Sequence, residues 1–256
     1  MKKTNKNKIK SNEYLVNLPK DFTQPTDAVG QRLLKEYGAL FIARGGAIPP
    51  KTVIFKSERE VSAYQASLSK SKENIGGFAI ELQTVALKNF KEAIAEAEQN
   101  SLTITPRGAD AAKRNYADTV TLWASRVNPG LSHWVEKGAL NETEASRIRS
   151  LSPFKQVSEI FKLESQGMFC SKDLSKSIIY SVAPPGTSQH LSMLALDVNE
   201  HGDSKVRDVL AEHGWFQTVV SDLPHFTFLG ILENRLSKLG LKKVSDDGRF
   251  FWLPNL

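Results

Sequence analysis

The apolar residues of this chain change their spacing part-way along, and that change constrains the fold more than any other feature. AIELQTVALKNFKEAIAEAEQN sets Leu82, Val85, Leu87, Phe90, Ile94 and Ala97 on a broadly helical stripe, closed by Asn100. ADAAKRNYADTVTLWASRV reads as a second helix, ended by the breaker NPG. NETEASRIRSL and SPFKQVSEIFKLES follow, each opened by a good cap. Upstream, SEREVSAYQASLSK carries Ser57 with Glu60 three residues on, the pattern of a capping box. After these helices the apolar runs shorten. SIIYSVAPPG, LALDV, WFQTVVS and HFTFLG read as strands, and DDG as the turn of a terminal hairpin into RFFWLP. KTVIF and SLTITP read as two further short strands, SKVRDVLAEHG and ENRLSKLG as short helices. Helices first and strands later, with no βαβ alternation, predict an α+β fold with an antiparallel sheet.

Composition narrows the chemistry. A chain of 256 residues can bury a core without covalent staples, and its single cysteine, Cys170, forms no intrachain disulfide and no cysteine-rich metal motif. Any metal site must draw on Asp, Glu and the five histidines, His133, His190, His201, His213 and His225. The net charge of +6 comes partly from MKKTNKNKIK, a basic arm without apolar periodicity that reads as disordered. No basic stripe interleaved with aromatics argues for nucleic acid. No apolar run is long enough for a membrane span, and no apolar segment follows the basic arm to complete a signal peptide.

The polar residues of the strand-rich third raise a sharper question. GTSQHLSMLALDV holds His190 and Asp197 seven apart, and SDLPHF holds Asp222 and His225 three apart. Residues seven apart are separated by roughly 10 Å along a helix. In an extended strand they lie roughly 23 Å apart, on opposite faces. Two ligands of one ion must each come within about 2 Å of it, so the segment has to bend, and the PPG turn before His190 allows a loop-to-strand corner. His225 then opens a strand as a third donor, with Asp222 close enough to meet a water on the metal. Three protein ligands, an open position and a nearby carboxylate are the parts of a catalytic zinc site. His201 and His213 read instead as a turn residue and a helix C-terminal residue, and His133 as surface packing.

With these residues in view, a family resemblance follows. PPGTSQHLSMLALDV resembles the Ser-x-His-x6-Asp motif of the zinc D-alanyl-D-alanine carboxypeptidases related to VanY and VanX. WFQTVVSDLPHFTFLG resembles their second motif, a carboxylate three residues before a strand-opening His. FKEAIAEAEQNSLTITPRG resembles their upstream helix–strand–Arg segment. The resemblance implies a small antiparallel sheet carrying one Zn2+ and packed with several helices, as in the hedgehog and D,D-peptidase group. It implies His190, Asp197 and His225 as metal ligands, Asp222 as the catalytic base, Ser188 as a substrate contact, and Arg107 as the residue that holds substrate and steadies the oxyanion. It divides the chain into an N-terminal extension, 1–60, partly disordered, and a catalytic domain, 61–256.

Two departures bear on the substrate. The family's Gly three residues after the first His is Met193 here, so the bend should form without positive φ and the bulk should narrow one side of the groove. The second motif reads Asp-Leu-Pro-His, as in the related L-alanyl-D-glutamate endopeptidases, whereas the lead-in to His190 matches the carboxypeptidases. The expected activity is a zinc peptidase acting on peptidoglycan stem peptides, D,D-carboxypeptidase first and endopeptidase second. A non-catalytic zinc module binding cell-wall peptide is the rival of another class. The implied partner is the peptidoglycan peptide; no nucleic acid and no membrane span are expected, and nothing in the chain fixes an oligomeric state. The substrate implies a periplasmic or extracellular location, although no signal peptide is visible.

Overall fold

The computed structural model describes residues 12–256; the basic arm expected to be disordered lies outside them. In chain order the elements begin with α1 (Glu13–Asn17), α2 (Ala28–Tyr37), α3 (Glu58–Ala66), β1 (Lys70–Ile75), β2 (Phe78–Gln83) and α4 (Thr84–Gln99). They continue with α5 (Tyr116–Glu136), α6 (Glu142–Ser150), α7 (Pro153–Ser165), β3 (Ala195–Asp197), α8 (Ser204–Glu212) and β4 (Trp215–Phe216). Last come β5 (His225–Phe228), α9 (Glu233–Leu236), β6 (Leu241–Asp246) and β7 (Arg249–Pro254). The strands form two hairpins, β1–β2 and β6–β7, and one three-stranded antiparallel sheet ordered β3–β5–β4. The fold is α+β, and among the described residues no helix is long and apolar enough to cross a membrane.

One large core joins these elements. Tyr14, Leu33 and Ile42 from the segment expected to be an extension are fully buried in it with Phe90, Trp123, Leu196 and Phe228. The three-stranded sheet is buried on both faces. Strand alternation sends Phe226 and Phe228 to one face of β5 and His225 and Thr227 to the other. Behind the sheet, Trp215 packs between Phe228 and Phe90 of α4, with ring centroids 5.2 and 5.9 Å away. The apolar face thus anchors the sheet, and the polar face is left for chemistry.

Several local expectations are corrected. The stretch read as one helix from Ala79 starts as strand β2, because Gly76 and Gly77, both at positive φ, close a hairpin that pairs Phe78–Gln83 with Lys70–Ile75. SIIYSVAPPG forms a 3-10 turn, since the Ile178 N–H is taken by the buried Glu164 carboxylate at 2.6 Å instead of a neighbouring strand. KTVIF sends its backbone bonds to separate partners: Lys51 O accepts from Thr23, and Phe55 N–H donates to Gly186 O. SLTITP makes only an isolated bridge between Pro106 and Val198, where proline has no N–H to extend a ladder. Helix α5 runs through NPG. Pro129 cannot serve the Ser125 carbonyl, and Arg126 Nη1 donates to that carbonyl instead at 3.4 Å. The start of α5 is also later than expected. Asn115 and Asp118 cap it reciprocally, which leaves residues 106–114 as a loop.

The PPG turn ties this framework to the site. Gly186 has φ +77°, its N–H donates to Thr119 Oγ1 on α5, and its carbonyl accepts from Phe55. A Cβ there would lie 1.8 Å from the Phe55 carbonyl oxygen. Gly77 shares the positive φ but has open space around it. Gly77→Ala should therefore cost only the left-handed conformation, about 1–2 kcal/mol. Gly186→Ala should add an overpacking cost of about 1–3 kcal/mol. Denaturant unfolding of the two variants checks this; equal losses would contradict it.

Candidate metal centre

His190 and Asp197 are joined by the corner that their spacing demands. His190 lies in a 3-10 turn, Gln189–Ser192, and Asp197 ends β3. Between them Met193 has φ +58°, ψ +27°, in the left-handed region, and is fully buried. This corrects the expectation for Met193. The bend uses positive φ even without glycine, with a conformational cost of about 1–2 kcal/mol. Core packing of the Met193 side chain and the bond from Gln83 N–H to its carbonyl, 3.0 Å, hold it there. Met193 does not line the cavity described below and narrows no groove.

Antiparallel register brings the third residue in. Asp197 on β3 is directly opposite His225 on β5, so both side chains leave the same face of the sheet. His190 Nε2, His225 Nδ1 and Asp197 Oδ1 form a triangle with edges of 3.1, 3.3 and 3.3 Å. Ligand atoms bonded to zinc at tetrahedral angles stand about 3.3 Å apart. The triangle therefore matches one face of such a tetrahedron, and the three residues can hold a metal ion.

The chemistry of these atoms agrees with their spacing. His190 Nδ1 is 2.6 Å from the Ala112 carbonyl, which can only accept, so Nδ1 carries the proton and Nε2 presents a lone pair. His225 Nε2 is 2.9 Å from Gln189 Oε1, and a proton on that nitrogen leaves the lone pair on Nδ1. Asp197 Oδ1 is the third acceptor. Three lone pairs facing one another in a buried place repel unless a cation lies between them. Burial pushes the His190 pKa down, aided by the charges of Arg114 and His225 and opposed by Asp197, which favours the neutral, ligating imidazole. Burial works against the ionised form of Asp197, but the two imidazoles, when they carry protons on the facing nitrogens, outweigh it and draw its carboxyl below the usual carboxylate range. The loop 106–114 closes over this corner. Ala111 O accepts from Asp197 N–H at 2.9 Å, and Arg107 N–H donates to Asp197 O at 2.9 Å.

The two histidines of the triangle line a cavity of about 240 Å³, with Ser188, Asp222, Arg114, Arg126 and Tyr180. Asp222 is exposed at its rim, in a turn where its carbonyl accepts from His225 N–H at 3.1 Å; its carboxylate has no partner among the described residues. Ser188, at the N-cap of the His190 turn, is buried, and its hydroxyl makes no hydrogen bond among the described residues. Arg107 does not join them. Its side chain is exposed, and only its backbone touches Asp197. Arg114 instead reaches the site, with Nη2 3.2 Å from Asp197 Oδ2 and the side chain 17% exposed. Sequence reading missed Arg114 by placing it inside a helix. The Asn115-x-x-Asp118 capping pattern was the signal that the helix starts after it. The remaining histidines lie elsewhere: His213 pairs with Glu96 at 2.8 Å, His201 meets Arg249, and His133 packs against Trp134.

No protein-family model and no curated protein matches the sequence. Among solved structures, the chain is similar to the crystal structure of a mutant of the vancomycin resistance D,D-pentapeptidase VanY, from the VanB-type resistance cassette, in complex with Zn(II). The match covers 65% of this chain and 82% of that chain, with 15% sequence identity and a TM-score of 0.35.

The donor set leads to a direct measurement. Metal-free protein should take up one zinc per chain in competition with a chromophoric chelator. His190→Ala, Asp197→Ala and His225→Ala should each weaken uptake by more than the roughly 10- to 100-fold that follows loss of an outer-shell partner. His213→Ala should bind like the parent; parental binding by any of the first three variants would remove that residue from the site.

Proposed function

We propose that this protein is a zinc-dependent peptidase that hydrolyses peptidoglycan stem peptides, acting as a D-alanyl-D-alanine carboxypeptidase. The observation that carries the reading is the convergence of three donor atoms at 3.1–3.3 Å beside a cavity lined by both histidines, whose rim holds a carboxylate without a partner among the described residues. The order of the two His/Asp motifs, and the resemblance they carry, supports the substrate class.

Zinc held by His190, Asp197 and His225 would polarise the scissile carbonyl and bring the pKa of a water down towards ~7. Asp222, three residues from His225 and with no side-chain partner among the described residues, would take the proton from the attacking water and hand it to the leaving amine. Arg114 is assigned the role first expected of Arg107: its guanidinium reaches the cavity and can meet the developing oxyanion. Arg126 lines the same cavity without an acidic partner among the described residues and suits a peptide with a free carboxylate. Ser188 offers its hydroxyl to the peptide backbone. The free base favours turnover over a zinc module that only binds.

One observation favours a second reading. Asp222-Leu223-Pro224-His225 matches the endopeptidase form of the motif, and the bulk of Met193, turned into the core, no longer argues for a short substrate. Digestion of purified muropeptides, with and without chelator, followed by mass spectrometry, separates the two. Release of free D-alanine from pentapeptide is expected. Cleavage after L-alanine with the D-alanine end intact would establish the endopeptidase, and no cleavage with zinc bound would leave the binding module.

Two variants test the roles. Asp222→Ala should lower kcat by about 10²–10⁴-fold, the range of general acid–base catalysis, with zinc retained on the same sample. Loss of zinc with activity would make Asp222 a ligand. Arg114→Ala should lower kcat/KM by about 10²–10³-fold, the scale of one oxyanion donor, whereas Arg107→Ala should stay near the parent. The reverse ranking would return the role to Arg107.

A further inference from the structure

The His225 ring has two possible neutral forms, and only one leaves Nδ1 free for a metal. The alternative proton on Nδ1 would point at Asp197 Oδ1, 3.3 Å away, and at His190 Nε2, 3.1 Å away. With no acceptor opposite Nε2, these neighbours would draw the proton to Nδ1 and block the lone pair. Something has to hold the proton on the other nitrogen.

We infer that Gln189 is a positioning residue that fixes the proton of His225 on Nε2, and so keeps Nδ1 open to the metal. The inference rests on the zinc reading for its purpose, but its geometry is independent of it. Gln189 is 2% exposed. Its amide nitrogen donates to the Tyr37 carbonyl at 2.9 Å, and a carbonyl can only accept, which sets the orientation of the amide. Oε1 therefore faces His225 Nε2 at 2.9 Å as an acceptor, and Nε2 must donate. The hydroxyls of Thr218, 3.2 Å away, and Thr227 also border this oxygen; they are hydrogen-bonded to each other at 2.6 Å, so one donates to the other and the second donates to Oε1. Thr227 is two residues beyond His225 on β5, so the face that carries the ligand also carries a clamp on its partner. An outer-shell acceptor of this kind fixes both the tautomer and the ring orientation.

The placement couples the two histidines. Gln189 precedes His190 in one 3-10 turn, and that turn delivers one ligand directly and orients the other through a side chain. Nothing in the Ser-x-His spacing asks for Gln at the middle position. Its function follows from what the folded chain puts opposite it.

The test uses Gln189→Met, which keeps length and removes the acceptor, Gln189→Glu, which keeps an acceptor oxygen, and Thr218→Val, which removes a hydroxyl from the same oxygen without touching His225. Two-bond nitrogen–proton NMR couplings on metal-free full-length protein report the His225 tautomer; chelator competition reports zinc affinity. The parent should carry the proton on Nε2. Gln189→Met should move it to Nδ1 and weaken zinc by about 10- to 100-fold. Gln189→Glu should restore the parental tautomer and most of the affinity. Thr218→Val should lower the melting temperature of the metal-free protein while binding zinc like the parent. A parental His225 protonated on Nδ1, or a Gln189→Met variant that keeps the Nε2 proton, overturns the inference. So does equal loss of affinity in Thr218→Val, which would mark a general packing defect. Failure of the parent to bind zinc counts against the proposed function, and the tautomer result on the metal-free chain still decides the role of Gln189.

Discussion

The pairing of Asp197 with His225 across β3 and β5 is the constraint on which the site depends. A one-residue slip in that register would turn one of the two side chains into the core, because strand side chains alternate. The register is held from behind by Phe226, Phe228 and Trp215, an apolar anchor packed against α4. The polar face then has only to be supplied with partners. The loop 106–114 supplies them through its backbone: Ala111 and Ala112 carbonyls receive the Asp197 amide and the His190 ring N–H. Alanine suffices at both positions because the carbonyl, not the side chain, does the work.

Burying so many polar groups is costly unless each finds a partner. Along this face nearly every one does: Gln83 bonds Ile48 and Ser192, Gln65 bonds Arg114 and Leu191, and Gln189 bonds Tyr37 and His225. Three buried glutamines thus tie the N-terminal segment, α3 and the loop before α5 to the His190 turn. This explains why residues 14–55 pack into the common core. Ile48 and Tyr37 belong to that segment, and without them two of the glutamines would lose a partner at about 1–3 kcal/mol each.

The α+β class and the grouping of His190, Asp197 and His225 were legible because both follow from short-range rules, hydrophobic period in one case and motif order in the other. Boundaries set by long-range partners were not. The β1–β2 hairpin hides in a segment whose apolar spacing continues the helical stripe of α4, and only the Gly76–Gly77 turn separates them. Pro129 reads as a stop, yet Arg126 covers the carbonyl it orphans, and Gly130 lets Cys170 approach so closely that an added Cβ would lie 2.6 Å from its sulfur. Arg107 and Arg114 lie seven apart on opposite sides of one loop, and the sequence motif carries no information on which of them turns inward. Met193 shows a further limit: a missing glycine does not imply a missing left-handed bend when packing holds the residue there.

The site divides into a rigid and an adaptable half. The three donors are fixed by a sheet, a 3-10 turn and a chain of buried hydrogen bonds, with His190 and His225 at 1% and 3% exposure. The groups that would meet substrate are at the rim, on turns and on one helix face. Asp222 is the link between the halves. Its backbone accepts from His225, its own N–H donates to Val219 at 3.1 Å, and Pro224 stiffens the two residues between, so its carboxylate is anchored only three residues from a ligand. In that short tether the length of the side chain sets the reach of the carboxylate. A glutamate, one methylene longer on the same turn, would address a point further over the metal than an aspartate. If Asp222 is the base of the proposed peptidase, the choice between Asp and Glu at this position bears on where an attacking water would be deprotonated, and with it on which peptide bond the cavity would accept.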